Sequence, residues 1–360
     1  MFDWHSVKEF SDLPEDITIQ NNEIYRMGMI AIWGPVNSLQ LLNNHIHHNT
    51  RMDLGTFGGG YGTYVEGNNG IIRGNLVHDN NSVGLRFGCD PGWGCFGWHN
   101  SIIENNVIYH NQGRMAHGQG GGSSACDWDT GGYGLIILGA TGNIVRNNVI
   151  YENRNNEMWG NQMGGNWGIY IHARSPTLPG ASNGGGNKIY NNTVWGHDSV
   201  YGPFGIKIED AWGNVSGNDV RNNISYQNGV DVYTGRLGVG SNNLTTDPRF
   251  VNPPTGDFHL QSSSPAIDAG LTLSEVPTDF DGVSRPQGSG YDIGAYEFQS
   301  GGSLRGDLTG DGKRDLADVR LLIYMLIGQQ PKTPEADLTG DGAVTLADVQ
   351  VLIRLMVGLP

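Results

Sequence analysis

Charge is scarce in this chain: Asp, Glu, Lys and Arg make up only 16% of its 360 residues. What charge there is has one dominant sign, with a formal net value of −15. Such an excess repels a phosphate backbone, which argues against nucleic acid as the partner. An anionic polysaccharide could bind only through a local cationic patch or bridging metal ions. Long apolar runs are missing as well, and nothing approaches a membrane-spanning stretch. Met1 to Gln20 lacks the apolar run of a signal peptide, so an exported form of this chain reads as processed or as a fragment. Cysteine is limited to Cys89, Cys95 and Cys126. The first two could close a small disulfide loop and leave the third free, but spacing alone does not fix the pairing. No Cys-x-x-Cys occurs and His99 has no partner motif, so the cysteines do not predict a zinc site. The joint signature of disorder, low hydrophobicity with dense charge, is absent too.

Glycine, in contrast, is abundant at 57 residues, and much of it opens one recurring phrase. Gly168-Ile169-Tyr170-Ile171-His172 has counterparts in Gly62-Thr63-Tyr64-Val65-Glu66, Gly84-Leu85-Arg86-Phe87-Gly88 and Gly134-Leu135-Ile136-Ile137-Leu138. Gly205-Ile206-Lys207-Ile208-Glu209 and Gly229-Val230-Asp231-Val232-Tyr233 continue the series. Positions two and four are mostly aliphatic while three and five vary, the period of a strand with one buried face. Asparagine pairs mark the same repeat at Asn21-Asn22, Asn43-Asn44, Asn105-Asn106, Asn147-Asn148, Asn191-Asn192 and Asn222-Asn223, with Gly74-Asn75 in the matching place. Asparagine tolerates left-handed backbone at tight corners, and stacked copies can hydrogen-bond in ladders. Repeats of this kind indicate a solenoid.

Over residues 17–245 this pattern resembles the right-handed parallel β-helix proteins, the group that includes pectate lyases. The expected fold is therefore an all-β right-handed parallel β-helix solenoid over residues 1–245, with a small all-α calcium-binding domain at the C-terminus. Long insertions fall at Met52 to Tyr61, Gly113 to Gly132, Arg154 to Trp167 and Ala173 to Gly186. From Thr246 the repeat stops. Ser264-Pro265-Ala266-Ile267-Asp268-Ala269-Gly270 and Asp292-Ile293-Gly294-Ala295-Tyr296-Glu297 resemble the closing segment of many secreted bacterial β-helix proteins. Residues 246–298 are thus expected to cap the open last coil, with Asp268, Asp279 and Asp281 serving turns. Residues 299–303 read as a flexible linker.

Residues 304–360 hold two copies of one loop, 30 residues apart. The first places Asp307, Thr309, Asp311, Lys313, Asp315 and Asp318 at positions 1, 3, 5, 7, 9 and 12. The second repeats this with Asp337, Thr339, Asp341, Ala343, Thr345 and Asp348. Oxygen donors at these positions, a glycine at position 6 and a backbone carbonyl at position 7 suit Ca²⁺. Each loop leads into an amphipathic pattern, Val319, Leu322, Ile323 and Leu326, then Val349, Leu352, Ile353 and Met356. The pair resembles a type I dockerin, departing from it with Thr at position 3 and Leu-Ala at positions 10 and 11. That resemblance implies two calcium ions, a cohesin domain as partner, an extracellular location and a polysaccharide-active cargo.

For chemistry, the outward positions of the recurring phrase are the candidates. The last three copies are expected to stack Tyr170, Lys207 and Asp231 in one column, and His172, Glu209 and Tyr233 in the next. A polysaccharide lyase is the first reading, with Lys207 or His172 as base and Tyr170 or Tyr233 as acid. Carboxylates beside a lysine base would raise its pKa, a balance that a calcium held by Glu209, Asp210 and Asp231 could reverse. In the alternative, a glycoside hydrolase, Glu209 and Asp231 would form an inverting pair roughly 8 Å apart. The clustered-Asp motifs of β-helix pectin hydrolases are not present. A third reading is a non-catalytic carbohydrate-binding or adhesion module. Arg86, Trp93, Trp98, Trp128, Trp159, Trp167 and Arg174 are the candidate substrate contacts. The run His45-Ile46-His47-His48 suggests a metal, but its place at an Asn corner predicts corner packing.

Overall fold

In the body of the chain, each turn consists of three short strands separated by three corners. The structure is a computed structural model, and it describes residues 13–28, 30–49, 60–88, 97–112, 132–139, 141–154, 166–172, 185–197, 203–209, 217–234, 238–299, 305–309 and 314–356. Corresponding strands of successive turns pair in parallel, giving three sheets that run the length of the coil. The first sheet starts at Thr18–Gln20 and ends at Gly238–Ser241, and the second runs from Glu23–Tyr25 to Ile224–Tyr226. The third contains the recurring phrase, in strands Ile30–Pro35, Tyr61–Asn68, Val83–Gly88, Tyr133–Leu138, Asn166–His172, Pro203–Glu209 and Val230–Tyr233.

Three-residue strands leave only one inward position each, and aliphatic residues fill it. Leu41, Ile72, Ile103, Val145, Ile189 and Val220 stack along the first sheet, and Ile46, Val77, Ile108, Ile150 and Val194 along the second. From the third sheet come Leu85, Phe87, Leu135, Ile137, Ile169, Ile171, Ile206 and Ile208, as the alternation predicts. Trp98 lies among them, fully buried with its ring 4.9 Å from that of Phe87. It is an interior filler and not the sugar-stacking residue expected from its type.

The corners explain the asparagine pairs. The first member takes left-handed backbone: φ lies between +50° and +67° at Asn21, Asn43, Gly74, Asn105, Asn147, Asn191, Asn222 and Asn242. The second member turns inward and joins a ladder. From Asn22 through Asn44, Asn75, Asn106, Asn148, Asn192 and Asn223 to Asn243, each backbone N–H and side-chain amide donates to the next Oδ1 at 2.9–3.2 Å. Buried corner amides thereby find partners without water. A second ladder, Asn49, Asn80, Asn111 and Asn153, follows the left-handed residues His48, Asp79, His110 and Glu152. At the third corner Ser101, Asn143, Asn187 and Asn218 repeat the device.

Glycine is required where the third sheet's strand bends. Tyr133 before Gly134 faces outward, and Leu135 after it faces the core. A Cβ on Gly134 would lie 2.5 Å from Ile150 Cγ2 and 2.7 Å from the Gly168 carbonyl oxygen. Gly84 is equally confined, by Ile108 Cγ2 at 2.7 Å and the Gly134 carbonyl at 2.9 Å.

Past residue 245 the chain runs back along the flank of the coil, over the outer face of the second sheet. Phe250, Phe258, Leu260, Ala266, Ile293, Ala295 and Tyr296 pack on Leu76, Val107, Val149, Tyr151 and Ile224. Corner asparagines Asn105, Asn147, Asn191 and Asn222 donate to carbonyls of Phe280, Thr278, Asp292 and Leu271. Along this flank the segment expected to cap the last coil covers an apolar sheet face that a free solenoid would expose to water. Asp279 serves a turn, as expected, accepting from the Val283 and Glu297 N–H groups.

The tail forms two helices, Leu316–Leu326 and Leu346–Met356, packed through Leu322, Met325 and Leu352 against Leu338 and Val344. Asp315 caps the first helix by accepting from Ala317 N–H. Ile323 and Ile353, expected inside, are 41% and 47% exposed. Among the described residues no helix is long and apolar enough to cross a membrane.

Tail and flank segment meet at His259, whose ring nitrogens lie 2.6 Å from Asp257 and 2.8 Å from Asp281. Arg314 stands 3.8 Å from Asp257 and Arg305 3.7 Å from Asp281. Burial alone would lower the His259 imidazole, but its bonds to the two carboxylates raise it to about 9. A raised histidine contributes stability that is fully present below its unfolded value of about 6.5 and lost as pH rises through the folded value. We expect the melting temperature to fall between pH 6.5 and 9, and His259→Gln to flatten that slope. An unchanged slope in the variant would remove His259 from the account.

Candidate active site on the outer face of the third sheet

Strand pairing fixes which outward residues are neighbours. Trp33 pairs with Tyr64, Arg86 with Ile136, Ile136 with Tyr170, Tyr170 with Lys207, and Lys207 with Tyr233. A second column holds Leu138, His172 and Glu209, paired in that order. Adjacent members of a column are about 4.8 Å apart along the coil. Tyr170–Lys207 and His172–Glu209 are therefore neighbours, as the sequence predicts.

The last strand corrects the prediction. Val230 pairs with Phe204 and Val232 with Ile206, which puts Asp231 opposite Gly205 and Tyr233 beside Lys207. Asp231 leaves the column for the corner, where its Oδ1 accepts from Asn228 N–H and Nδ2, both at 3.1 Å. Its backbone carbonyl accepts from the Ser225 hydroxyl at 2.6 Å. Burial pushes its carboxyl up, and the Asn228 hydrogen bonds pull it back. It is not diagonally adjacent to Glu209 and does not form the expected carboxylate pair.

This face is walled by rings. Tyr61, Tyr133, Trp167 and Tyr170 form an apolar cluster with Val83, Ile136 and Leu138 outside the coil interior. Lys207 Nζ lies over three of the face's rings, 4.4 Å from the Trp167 centroid, 4.8 Å from Phe204 and 5.4 Å from Tyr170. Ring faces attract a cation through their quadrupole. Upstream, the Arg86 guanidinium sits 4.3 Å over Tyr64 and is 0% exposed. Of the expected substrate contacts, Arg86 and Trp167 lie on this face but are buried, Trp167 in the strand and not in an insertion; Trp93, Trp128, Trp159 and Arg174 lie outside the described residues. So do Cys89, Cys95, Cys126 and Asp210, and Asp311 and Lys313 of the first tail loop.

One feature escaped the sequence reading and another was read only in part. A cavity of about 430 Å³ lies between flank segment and coil, lined by Trp195, Tyr226, Asp247, Arg249 and Gln261. Glu23, His45, His47, His48, His78 and Asp79 gather on the second sheet. The adjacent histidines were visible as a motif, but Glu23 and His78 join them only through the register of the coil.

In the tail, the second loop is described most fully. Asp337 Oδ1 accepts from Gly340 N–H at 2.8 Å, and Asp348 accepts from Thr339 and Thr345 N–H at 2.8 and 2.6 Å. The Thr339 hydroxyl stands 3.2 Å from Asp337, and the Thr345 hydroxyl 3.4 Å from Asp348. Every side-chain donor here is oxygen, with three carboxylates in one loop, a set suited to a hard cation.

A family described as right handed beta helix region matches residues 7–126 of the chain. No curated protein matches it. Among solved structures, pectate lyase Pel9A is similar at 18% identity over 74% of this chain and 73% of that one, with a TM-score of 0.34. A mutant of the periplasmic alginate epimerase AlgG gives 15% identity, 64% and 44% coverage and a TM-score of 0.35. XylC in complex with xylose gives 13%, 78% and 50%, with a TM-score of 0.42. The chain thus spans half or less of the length of the latter two. At these identities the likenesses assign no activity. The matched family description is consistent with the coil of parallel strands.

Proposed function

We propose that the protein cleaves a uronate-containing polysaccharide by β-elimination on the outer face of the third sheet. The observation that carries this reading is Lys207, held among three rings with tyrosines before and after it in its column. In β-elimination a base takes the proton beside the carboxylate, charge develops on that carboxylate, and the bond to the leaving oxygen breaks as a C=C forms. Lys207 would meet the developing charge. With Lys207 placed among the rings to meet that charge, we assign the base to His172. Tyr170 or Tyr233 would return a proton to the leaving oxygen. The displacement of Asp231 counts against an inverting hydrolase. The aromatic cavity at Trp195 and Tyr226 favours a second reading, a carbohydrate-binding module. A panel of uronate and neutral glycans separates the readings. Unsaturated-product absorbance with new reducing ends means a lyase, reducing ends alone mean a hydrolase, and neither signal leaves the binding module.

The tail is proposed to be a dockerin-type docking domain that holds two calcium ions. Asp337, Thr339, Asp341, Thr345 and Asp348 would hold one, with Ala343 giving its carbonyl, and the equivalent residues from Asp307 to Asp318 the other. Bound calcium would neutralise the clustered carboxylates and fix the loop ahead of each helix. The helices repeat the same exposed apolar pair: Leu316 and Leu346 are 76% and 72% exposed, and Ile323 and Ile353 lie two turns along on the same face. Duplicated outward apolar positions support a protein partner, which we take to be a cohesin domain outside the cell. We expect residues 304–360 to gain helix on calcium addition and lose it with EDTA, read by circular dichroism. Equal helix content in both conditions would contradict the proposal.

A further inference from the structure

The second sheet carries a ring stack on its outer surface, and that stack accounts for only part of what gathers there. Tyr25, His47, His78, Tyr109 and Tyr151 lie in one column, with successive centroids 5.3, 5.2, 4.7 and 4.8 Å apart and planes within 13° of parallel. Stacking explains His47 and His78. It does not explain His45 and His48, which stand outside the column and point nitrogens at it. His45 Nε2 is 2.7 Å from His78 Nε2, and His48 Nδ1 is 2.7 Å from His47 Nδ1.

The remaining nitrogens of the stacked pair are committed to carboxylates. His78 Nδ1 lies 2.7 Å from Asp79, and His47 Nε2 lies 3.1 Å from Glu23. A neutral imidazole has one N–H, and each carboxylate can only accept it. His78 therefore turns its Nε2 lone pair toward His45, and His47 turns its Nδ1 lone pair toward His48. Histidines that ligate metals are held in this way, one nitrogen donating to a carboxylate and the other aimed at the ion. Ligand atoms of Glu23, His45 and His47 lie within 4.8 Å of one another, as do those of His48, His78 and Asp79.

We propose that His45, His47, His48 and His78 form a transition-metal site for zinc, oriented by Glu23 and Asp79. Imidazole donors suit zinc and its neighbours, whereas calcium prefers oxygen. The site is distinct from the tail loops in ligand type and from the Lys207 face in position. The ion would tie two successive coils together, since the histidines come from strands His45–His47 and Leu76–His78 and their corners, with Glu23 reaching in from the coil before.

The test uses the full chain with thiols blocked by N-ethylmaleimide and calcium in excess. Cobalt is titrated first, for its visible absorption in a low-symmetry nitrogen site, and zinc is then used to displace it. One equivalent should bind. His45→Gln/His78→Gln should weaken binding at least about 100-fold, and Asp79→Asn about 10- to 100-fold. His48→Gln, at an exposed corner, leaves the core untouched and should also weaken it. Equal affinity in wild type, the double variant and His48→Gln would overturn the proposal, as would cobalt binding without a visible band.

Discussion

Lys207→Ala should lower turnover on a uronate glycan by about 10²- to 10³-fold, the scale of losing one group that meets developing charge. His172→Ala should cost about 10²- to 10⁴-fold, as for a general base. Lys207 holds an outward strand position, so melting temperature should move little in that variant. Asp231→Asn should leave the chemical step nearly intact, because that carboxylate is tied to Asn228 at a corner. Glu66→Gln is a further control, since Glu66 lies four coils from Glu209, roughly 19 Å by strand spacing. Steady-state kinetics on wild type and five variants, Glu209→Gln included, decides the matter. If Asp231→Asn and Glu209→Gln were the damaging pair, the reaction would be a hydrolysis and the assignment of Lys207 would fail.

The second large effect is on stability. Asn148→Ala should destabilise the coil by roughly 3–5 kcal/mol, because several buried groups lose their partner at once. Its Oδ1 accepts from the backbone and side-chain amides of Asn106, and its own amide donates to Ile103 O, Arg146 O and Asn192 Oδ1. Asn105→Gly should cost far less. Asn105 holds φ +53°, a conformation that glycine enters freely, and its amide makes one long bond to Phe280 O at 3.4 Å. Two neighbouring asparagines in one phrase should therefore respond very differently in urea denaturation. Similar losses at both would mean that the ladder is incidental.

That contrast shows how the fold could be read from the sequence. Asparagine pairs and glycine phrases each do one physical job repeatedly, and repetition made the job visible. Failures came where a residue did something once. Gly229-Val230-Asp231-Val232-Tyr233 has the pattern of the phrase, yet Asp231 and not Gly229 faces Gly205, and the strand is displaced by two. The displacement comes from hydrogen bonds of Asn228 and Ser225 that no periodicity announces. Trp98 has the composition of a sugar contact, but it fills the interior beside Phe87. Ile323 and Ile353 fit a buried helical stripe, yet among the described residues the packing of the two helices leaves both partly exposed. At the candidate site, the Tyr170–Lys207 and His172–Glu209 neighbours were legible because one register error did not reach them. The rings around Lys207 were not, since Phe204 and Trp167 precede the bend glycine and their outward turn depends on it.

The claim that the Lys207 face binds an anionic glycan is tested most directly by competitive lysine labelling. An amine-reactive reagent is applied to the full chain with and without a uronate oligosaccharide, and the rate at each lysine is read by mass spectrometry. Lys207 should label at least about tenfold more slowly when the oligosaccharide is bound, with Lys188 and Lys332 unchanged, the protection expected when a charged group is covered and paired. Equal labelling of Lys207 in both conditions, with the oligosaccharide bound, would contradict the account.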